Sequence, residues 1–203
     1  MSRTLEKLKK DDTLTVEILE LFPRQGEWTE EDYFTLLPES NKIIELSEGR
    51  LIITPAPTNQ HQKILGNLYF LLYSYLLKNN LGEIRCAPLD VKLWEDNIRQ
   101  PDIVFMSNKH NDRITEQFWG VPDLAIEILS EHTAKEDRVK KFFEYLRAGI
   151  SEYWIVDPFK QSIEIFSLEK EAYELFGKWC AGETAKSKLL KDFEAAVGDV
   201  MAL

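Results

Sequence analysis

Residues 100–107 read QPDIVFMS and residues 121–130 read VPDLAIEILS. Each segment leaves a Pro-Asp pair and enters a short run of apolar, β-type residues. Each is therefore expected to be a strand entered from a turn, the second largely buried. Asp102 stands at the start of the first run, and Glu127, 25 residues later, lies inside the second. A charged side chain in such surroundings is costly unless it is paired or bound to a cation. Two carboxylates on adjacent strands point to a divalent-cation site with hard oxygen ligands, for which Mg²⁺ is suited. Pairing with backbone amides or with a lysine is the plainer alternative for both acids.

Working outward, EIRCAPLDVKLW supplies further strands broken at Pro88, and EDNIRQ reads as a polar turn. Before these, Thr58 to Asn79 carries Ile64, Leu65, Leu68, Leu72 and Leu76 at helical spacing and stops at Asn80 and Gly82. KIIELSEGRLIIT reads as a hairpin about Ser47, Glu48 and Gly49, and TEEDYFTLLPES as a short helix capped by Thr29 and ended by Pro38. On the other side, a helix is expected from about Thr133 to Arg147, with Thr133 as cap and Gly149 closing it. EYWIVD returns as a strand, and QSIEIFSL and AYELF alternate as an antiparallel edge pair. The pattern is α/β: a mixed sheet flanked by helices with an N-terminal helix and hairpin elaboration. Residues 1–27 form an extension and residues 28–203 one domain.

Composition bounds the function. With 44% hydrophobic and 30% charged residues the chain is of ordinary globular type, and no stretch approaches the ~20 apolar residues of a bilayer span. Its start mixes charges and lacks the apolar segment of a signal peptide, and Cys86 and Cys180 form no CxxC pair. A cytoplasmic protein with reduced thiols is expected. The net charge of −10 opposes indiscriminate binding of a polyanion, so contact with nucleic acid requires a local site.

In their order along the chain, QPDIVFMS, VPDLAIEILS and KFFEYLRAGISEYWIVDP resemble the Uma-two family of restriction-endonuclease-like proteins, within the PD-(D/E)XK nuclease superfamily. The similarity begins near Ile43 in IIELSEGRLI, continues through PTNQHQKI and APLDVKL, and extends to about Phe166. It implies a restriction-endonuclease-like fold and an enzyme that hydrolyses DNA phosphodiester bonds with Mg²⁺, Mn²⁺ being the natural substitute, as a homodimer. Asp102 and Glu127 take the places of the two metal-binding acids, and the Ile128 carbonyl is a further candidate ligand. The superfamily's lysine position falls at Leu129, a departure, and the family pattern moves the catalytic lysine to the next helix, at Lys141 with Lys140 as runner-up. Glu45, His61 and Gln100 also match family positions. Glu45 is either a third acid near the metal or half of a hairpin salt bridge, and His61 and Gln100 are placed to touch substrate phosphate or the metal's surroundings.

Leu129 and the acidic charge also motivate an alternative: a nuclease fold without catalysis that binds nucleic acid or protein. Helical spacing turns Asp137, Lys141, Glu144 and Tyr145 to one side and Lys140 about 100° away. The alternating charges of EHTAKEDRVKKFFEYLR suggest a solvated helix face, on which replacing Lys141 leaves folding intact. Tyr69, Tyr73, Phe142, Phe143, Tyr145, Tyr153 and Trp154 all fall at core spacing.

Overall fold

A computed structural model describes residues 22–37 and 43–202. Most of the N-terminal extension, and Pro38 as the stop of the first helix, lie outside the described residues. Helix α1 (Glu30–Leu36) begins with a capping box, Thr29 Oγ1 accepting from the Asp32 amide at 3.2 Å and the Asp32 carboxylate accepting from the Thr29 amide at 3.0 Å. Strands β1 (Ile43–Ser47) and β2 (Arg50–Thr54) form the expected hairpin. Its turn residues Glu48 and Gly49 both have positive φ. Gly49 is required there for a second reason: its carbonyl accepts from the Gly26 and Trp28 amides at 2.7 and 3.0 Å, so a Cβ would lie 2.6 Å from the Gly26 oxygen.

Helix α2 (Asn59–Asn79) is capped by Thr58 and closed by Asn80 in the left-handed conformation. After it come β3 (Gly82–Cys86), β4 (Val91–Trp94), β5 (Asn97–Arg99), β6 (Ile103–Ser107) and β7 (Leu124–Ile128). A π-helical segment (Glu136–Lys141) runs directly into α3 (Phe142–Ala148). The chain continues through β8 (Glu152–Asp157), β9 (Ser162–Glu169), β10 (Ala172–Cys180), β11 (Thr184–Lys186), β12 (Glu194–Ala196) and α4 (Val197–Met201). The large sheet has the order β10-β9-β8-β7-β6-β3 and is mixed: β7 and β8 are parallel, joined through the π segment and α3, and the other pairs are antiparallel. A smaller sheet has the order β2-β1-β5-β4.

Three apolar clusters follow from the alternation of side chains along the strands. On one face of the large sheet, Ile103, Phe105, Ile126, Ile128 and Trp154 pack under the Ile64, Leu68, Leu72 and Leu76 stripe of α2. On the other, Val104, Ala125, Tyr153 and Ile155 meet Tyr145 and Ile150. Trp28 and Tyr33 cover Ile44, Leu46 and Ile98 of the small sheet. The opposite side of the small sheet presents Glu45, Ser47, Asn97 and Arg99 to the π segment and α3, so a polar layer is buried between the two sheets.

The structure corrects three local readings. EDNIRQ contains a buried strand, β5, rather than only a turn; its polar and charged side chains are accommodated because partners from other elements meet them. The helix after β7 begins at Ala134, directly after Thr133, whose carbonyl accepts from the Asp137 amide at 2.9 Å; Ser130 Oγ accepts from the Thr133 amide at 3.2 Å in the turn that leads into it. The same helix is π-helical over Glu136–Lys141, a form that is rare and concentrated at functional sites. Tyr73 and Phe143 are exposed, because each lies one helical step off the stripe that faces a sheet.

Glu152 is buried at the start of β8 and ties the 187–190 turn to the large sheet. Its Oε1 accepts from Trp154 Nε1 at 2.7 Å and Ser187 Oγ at 2.6 Å, and its Oε2 from the amides of Lys188 and Leu189 at 2.7 and 2.9 Å. Glu152→Ala leaves four donors without their acceptor and is expected to cost about 3 kcal/mol or more. Urea denaturation followed by circular dichroism checks this, and an unchanged midpoint would show that water replaces the carboxylate.

Candidate active site

Strand register brings the two carboxylates of the Pro-Asp segments together. β6 and β7 pair Ile103 with Ile126, Val104 with Ala125 and Phe105 with Leu124. Continuing that antiparallel register by one residue sets Asp102 opposite Glu127, on the sheet face that meets the π segment. Both line one cavity of about 90 Å³, together with Glu45, His61, Gln100, Asp137 and Lys141.

Each acid is anchored through one oxygen. Asp102 Oδ2 accepts from the Ile128 amide at 2.7 Å and lies 3.1 Å from His61 Nε2. Glu127 Oε1 accepts from Lys141 Nζ at 2.9 Å and from the Tyr145 hydroxyl at 2.6 Å. Asp102 Oδ1 and Glu127 Oε2 take no hydrogen bond from any described residue. Lys141 Nζ also lies 3.1 Å from Glu45 Oε1 and 3.5 Å from Asp137 Oδ1, so one ammonium serves three carboxylates. It is 6% exposed, not the surface lysine that the charge pattern suggests.

The electrostatics follow from that crowding. Burial raises the Glu127 carboxyl well above its usual range; Lys141 works against the rise, and Asp137, Asp102 and Glu45 add to it. Burial alone would lower Lys141, but Glu127, Glu45 and Asp137 together push it well above the ordinary lysine value. Glu45 is held at about 2 despite its burial, by Lys141, Arg99 and the Gln100 amide. His61 is raised above its usual value: the Asp102 carboxylate and the Ile128 backbone outweigh desolvation.

Of the residues singled out from the sequence, Asp102, Glu127, Ile128, Lys141, Glu45, His61 and Gln100 all meet at this cavity. Lys140 does not; its ammonium is 3.3 Å from Glu48 on the hairpin turn. Gln100 donates its amide to Glu45 Oε1 at 2.9 Å and its Nε2 to Asp90 Oδ1 at 2.7 Å. Asp137, which helical spacing turns to the same side as Lys141, does line the cavity; it is 1% exposed, and neither of its oxygens has a hydrogen-bond partner. One further residue, Arg99, has no counterpart in the sequence reading of the site. Arg99 is fully buried and divides its guanidinium among Glu144 Oε2 at 2.6 Å, Glu45 Oε2 at 3.0 Å and Glu136 Oε1 at 3.0 Å. Three glutamates beside an arginine are unremarkable in sequence, and only their convergence from β1, the π segment and α3 gives them meaning.

The mixed sheet flanked by helices is restriction-endonuclease-like, and it brings an acidic pair on neighbouring strands and a lysine from the following helix to one cavity. The chain belongs to the Uma2 family, described as "Putative restriction endonuclease", whose model matches residues 30–198. A solved structure described as that of "a putative nuclease belonging to DUF820" from Anabaena variabilis superposes with a TM-score of 0.69 at 21% identity, covering 84% of this chain and 96% of that one. It shares the fold. No curated protein matches the chain.

Among the described residues no three histidine, cysteine or acidic side chains converge closely enough to enclose a cation by themselves. Mg²⁺ does not need such a cage, since it keeps several waters and typically takes one or two carboxylates plus substrate phosphate. The donor set fits this ion: two carboxylates each offer an unengaged oxygen, and Asp137 adds a buried carboxylate without hydrogen bonds.

Proposed function

We propose that the chain is a metal-dependent endonuclease that hydrolyses DNA phosphodiester bonds. The observation that carries this reading is the cross-strand pairing of Asp102 with Glu127 beside the buried Lys141 ammonium, in one cavity. Asp102 Oδ1, Glu127 Oε2 and the Ile128 carbonyl would hold Mg²⁺ or Mn²⁺, with Asp137 within the same cavity. The bound ion supplies Lewis-acid neutralisation of the phosphate and an activated water.

The chain's own residues do the rest. Lys141, fixed by three carboxylates, presents a positive charge where negative charge grows on the phosphate, and it is positioned before the reaction begins. Tyr145 and Lys141 together hold Glu127 in one rotamer. The Ile128 amide and His61 do the same for Asp102. Leu129, at the superfamily's lysine position, packs into the apolar cluster, and Lys141 reaches the acid from the neighbouring helix instead. Homodimerisation belongs to the same proposal, because two sites related by a twofold axis serve the two strands of a duplex. Light scattering at micromolar protein reads the assembly directly.

Incubation with plasmid DNA and Mg²⁺ or Mn²⁺ is expected to give nicked product, and Asp102→Asn and Glu127→Gln to lower the rate by about 10²-fold or more. In calorimetry the same variants and Asp137→Asn should bind Mn²⁺ more weakly than the parent chain. Equal nicking by parent and Asp102→Asn would reject the site. Metal binding unaffected by all three variants would favour a non-catalytic binding module.

A further inference from the structure

Beside the candidate active site lies a second, larger cavity of about 460 Å³. The two share Thr58, His61, Ser130 and His132, so they adjoin, and a polymer whose reacting phosphate occupies the first can continue into the second. The second is built at the ends of β7 and β8 and at the start of α2, where Asn59, Gln60, Leu129, Glu131, Pro158 and Phe159 complete its lining. Among the described residues that line it there is no lysine or arginine. Its polar groups are two hydroxyls, two amides, a carboxylate and two imidazoles, a set of donors and acceptors that suits the edge of a base.

Phe159 lines this cavity from the turn after β8. It is 60% exposed, with much of its ring face open to solvent beside the cavity. That turn is held rigidly: Asp157 Oδ1 accepts from the amides of Phe159 and Lys160 at 3.1 and 3.0 Å, and Asp157 Oδ2 lies 3.2 Å from Arg138 Nη2. With its backbone held in place, the ring gives up only its own side-chain rotations on stacking, and every base has a π-face to offer it. The acidic charge of the chain points the same way. With a net charge of −10, affinity for a nucleic acid has to come largely from contacts that do not depend on neutralising phosphates, and stacking is such a contact.

We propose that this second cavity receives an unpaired nucleobase next to the scissile phosphate, stacked on Phe159 with its edge toward Asn59, Gln60 and Glu131. The inference rests on the nuclease reading and narrows its substrate to DNA that is single-stranded, bulged or locally opened at the cut.

The test uses the full chain carrying Glu127→Gln, so that bound DNA is cut about 10²-fold or more slowly, with Mg²⁺ and short labelled oligonucleotides in fluorescence anisotropy. Phe159→Ala in that background is expected to weaken binding of a single strand by roughly 5- to 150-fold, while Phe159→Tyr keeps most of it. An oligonucleotide lacking its bases should bind the Phe159 parent weakly and lose nothing more on Phe159→Ala. With Glu127 intact, the same loss should appear in kcat/KM for single-stranded or bulged DNA, which covers binding too weak for anisotropy. A melting curve for Phe159→Ala like that of the parent shows that folding is not the cause. If Phe159→Ala binds and cuts like the parent, or loses as much on fully paired duplex as on single strand, the base site is overturned and the nuclease reading stands. If the chain with Glu127 intact cuts no form of DNA and the Glu127→Gln chain binds none, the nuclease reading fails and takes the base site with it.

Discussion

Lys141→Ala is expected to abolish DNA cleavage and to destabilise the protein by about 3–5 kcal/mol, because it strips a buried ion network of the ammonium that Glu127, Glu45 and Asp137 share. The stability loss follows from burial. With the lysine gone, carboxylates that lie between the sheets face one another without a compensating charge, and protonating them or admitting water both cost free energy. Lys141→Met restores the apolar stem but not the charge, so it is expected to be inactive as well. Lys140→Ala is the matched control: its partner Glu48 is exposed on a turn, and an exposed pair of this kind contributes about 1 kcal/mol or less. Cleavage should be measured well below the melting temperature of the variant, with denaturant titration reporting stability separately. Wild-type cleavage by Lys141→Ala would remove the lysine from the reaction. Loss in Lys140→Ala alone would pass the role to its neighbour.

The second large effect is expected at Arg99, which touches no cavity-lining acid except Glu45 and acts by position. Its three contacts reach Glu45 on β1, Glu136 in the π segment and Glu144 on α3, so one side chain locks the small sheet to the helix that carries Lys141. Ser47 Oγ and Asn97 Nδ2 complete the shell of Glu144 at 2.6 and 3.1 Å. Arg99→Met is expected to lower stability by about 3–5 kcal/mol, since removing one partner leaves buried carboxylates unpaired. For a chain of this size that is a fall in melting temperature on the order of 10 °C. Arg99→Lys keeps the charge but lacks the planar fork that meets three acids at once, so it should recover only part of the loss. A double-mutant cycle with Glu144→Gln should give a coupling of about 1 kcal/mol or more. A coupling near zero, or a fully stable Arg99→Met, would mean that the layer between the sheets tolerates loss of its charge pairing.

Several features were legible because they are local. The Ile64-to-Leu76 stripe makes α2 amphipathic whatever it packs against, and the Glu48-Gly49 pair makes a tight hairpin turn through backbone preference. Asp102 and Glu127 stood out because a carboxylate within an apolar run needs a partner, an argument that requires no coordinates. Arg99 escaped for the converse reason. β5 is three residues long and largely polar, with no alternation to announce a strand, and its burial is permitted only by glutamates 54, 37 and 45 residues away in sequence. Lys141 was legible as a residue facing the acids but not as a buried one, because alternating charges look the same on a solvated helix and on one enclosed by acidic partners.

Short-range patterns of residue type were enough to give the family, most of the strands and helices as far as β10, and the acidic pair and lysine that converge at the cavity. Tertiary structure alone decided the β6–β7 register that opposes Asp102 to Glu127, the polar layer around Arg99, the buried Asp137 without hydrogen bonds and the second cavity beneath Phe159. The physical reason is that burial of charge is a property of the whole assembly: whether an ionised side chain is tolerable depends on partners brought from distant segments, and pairwise register sets which partners those are.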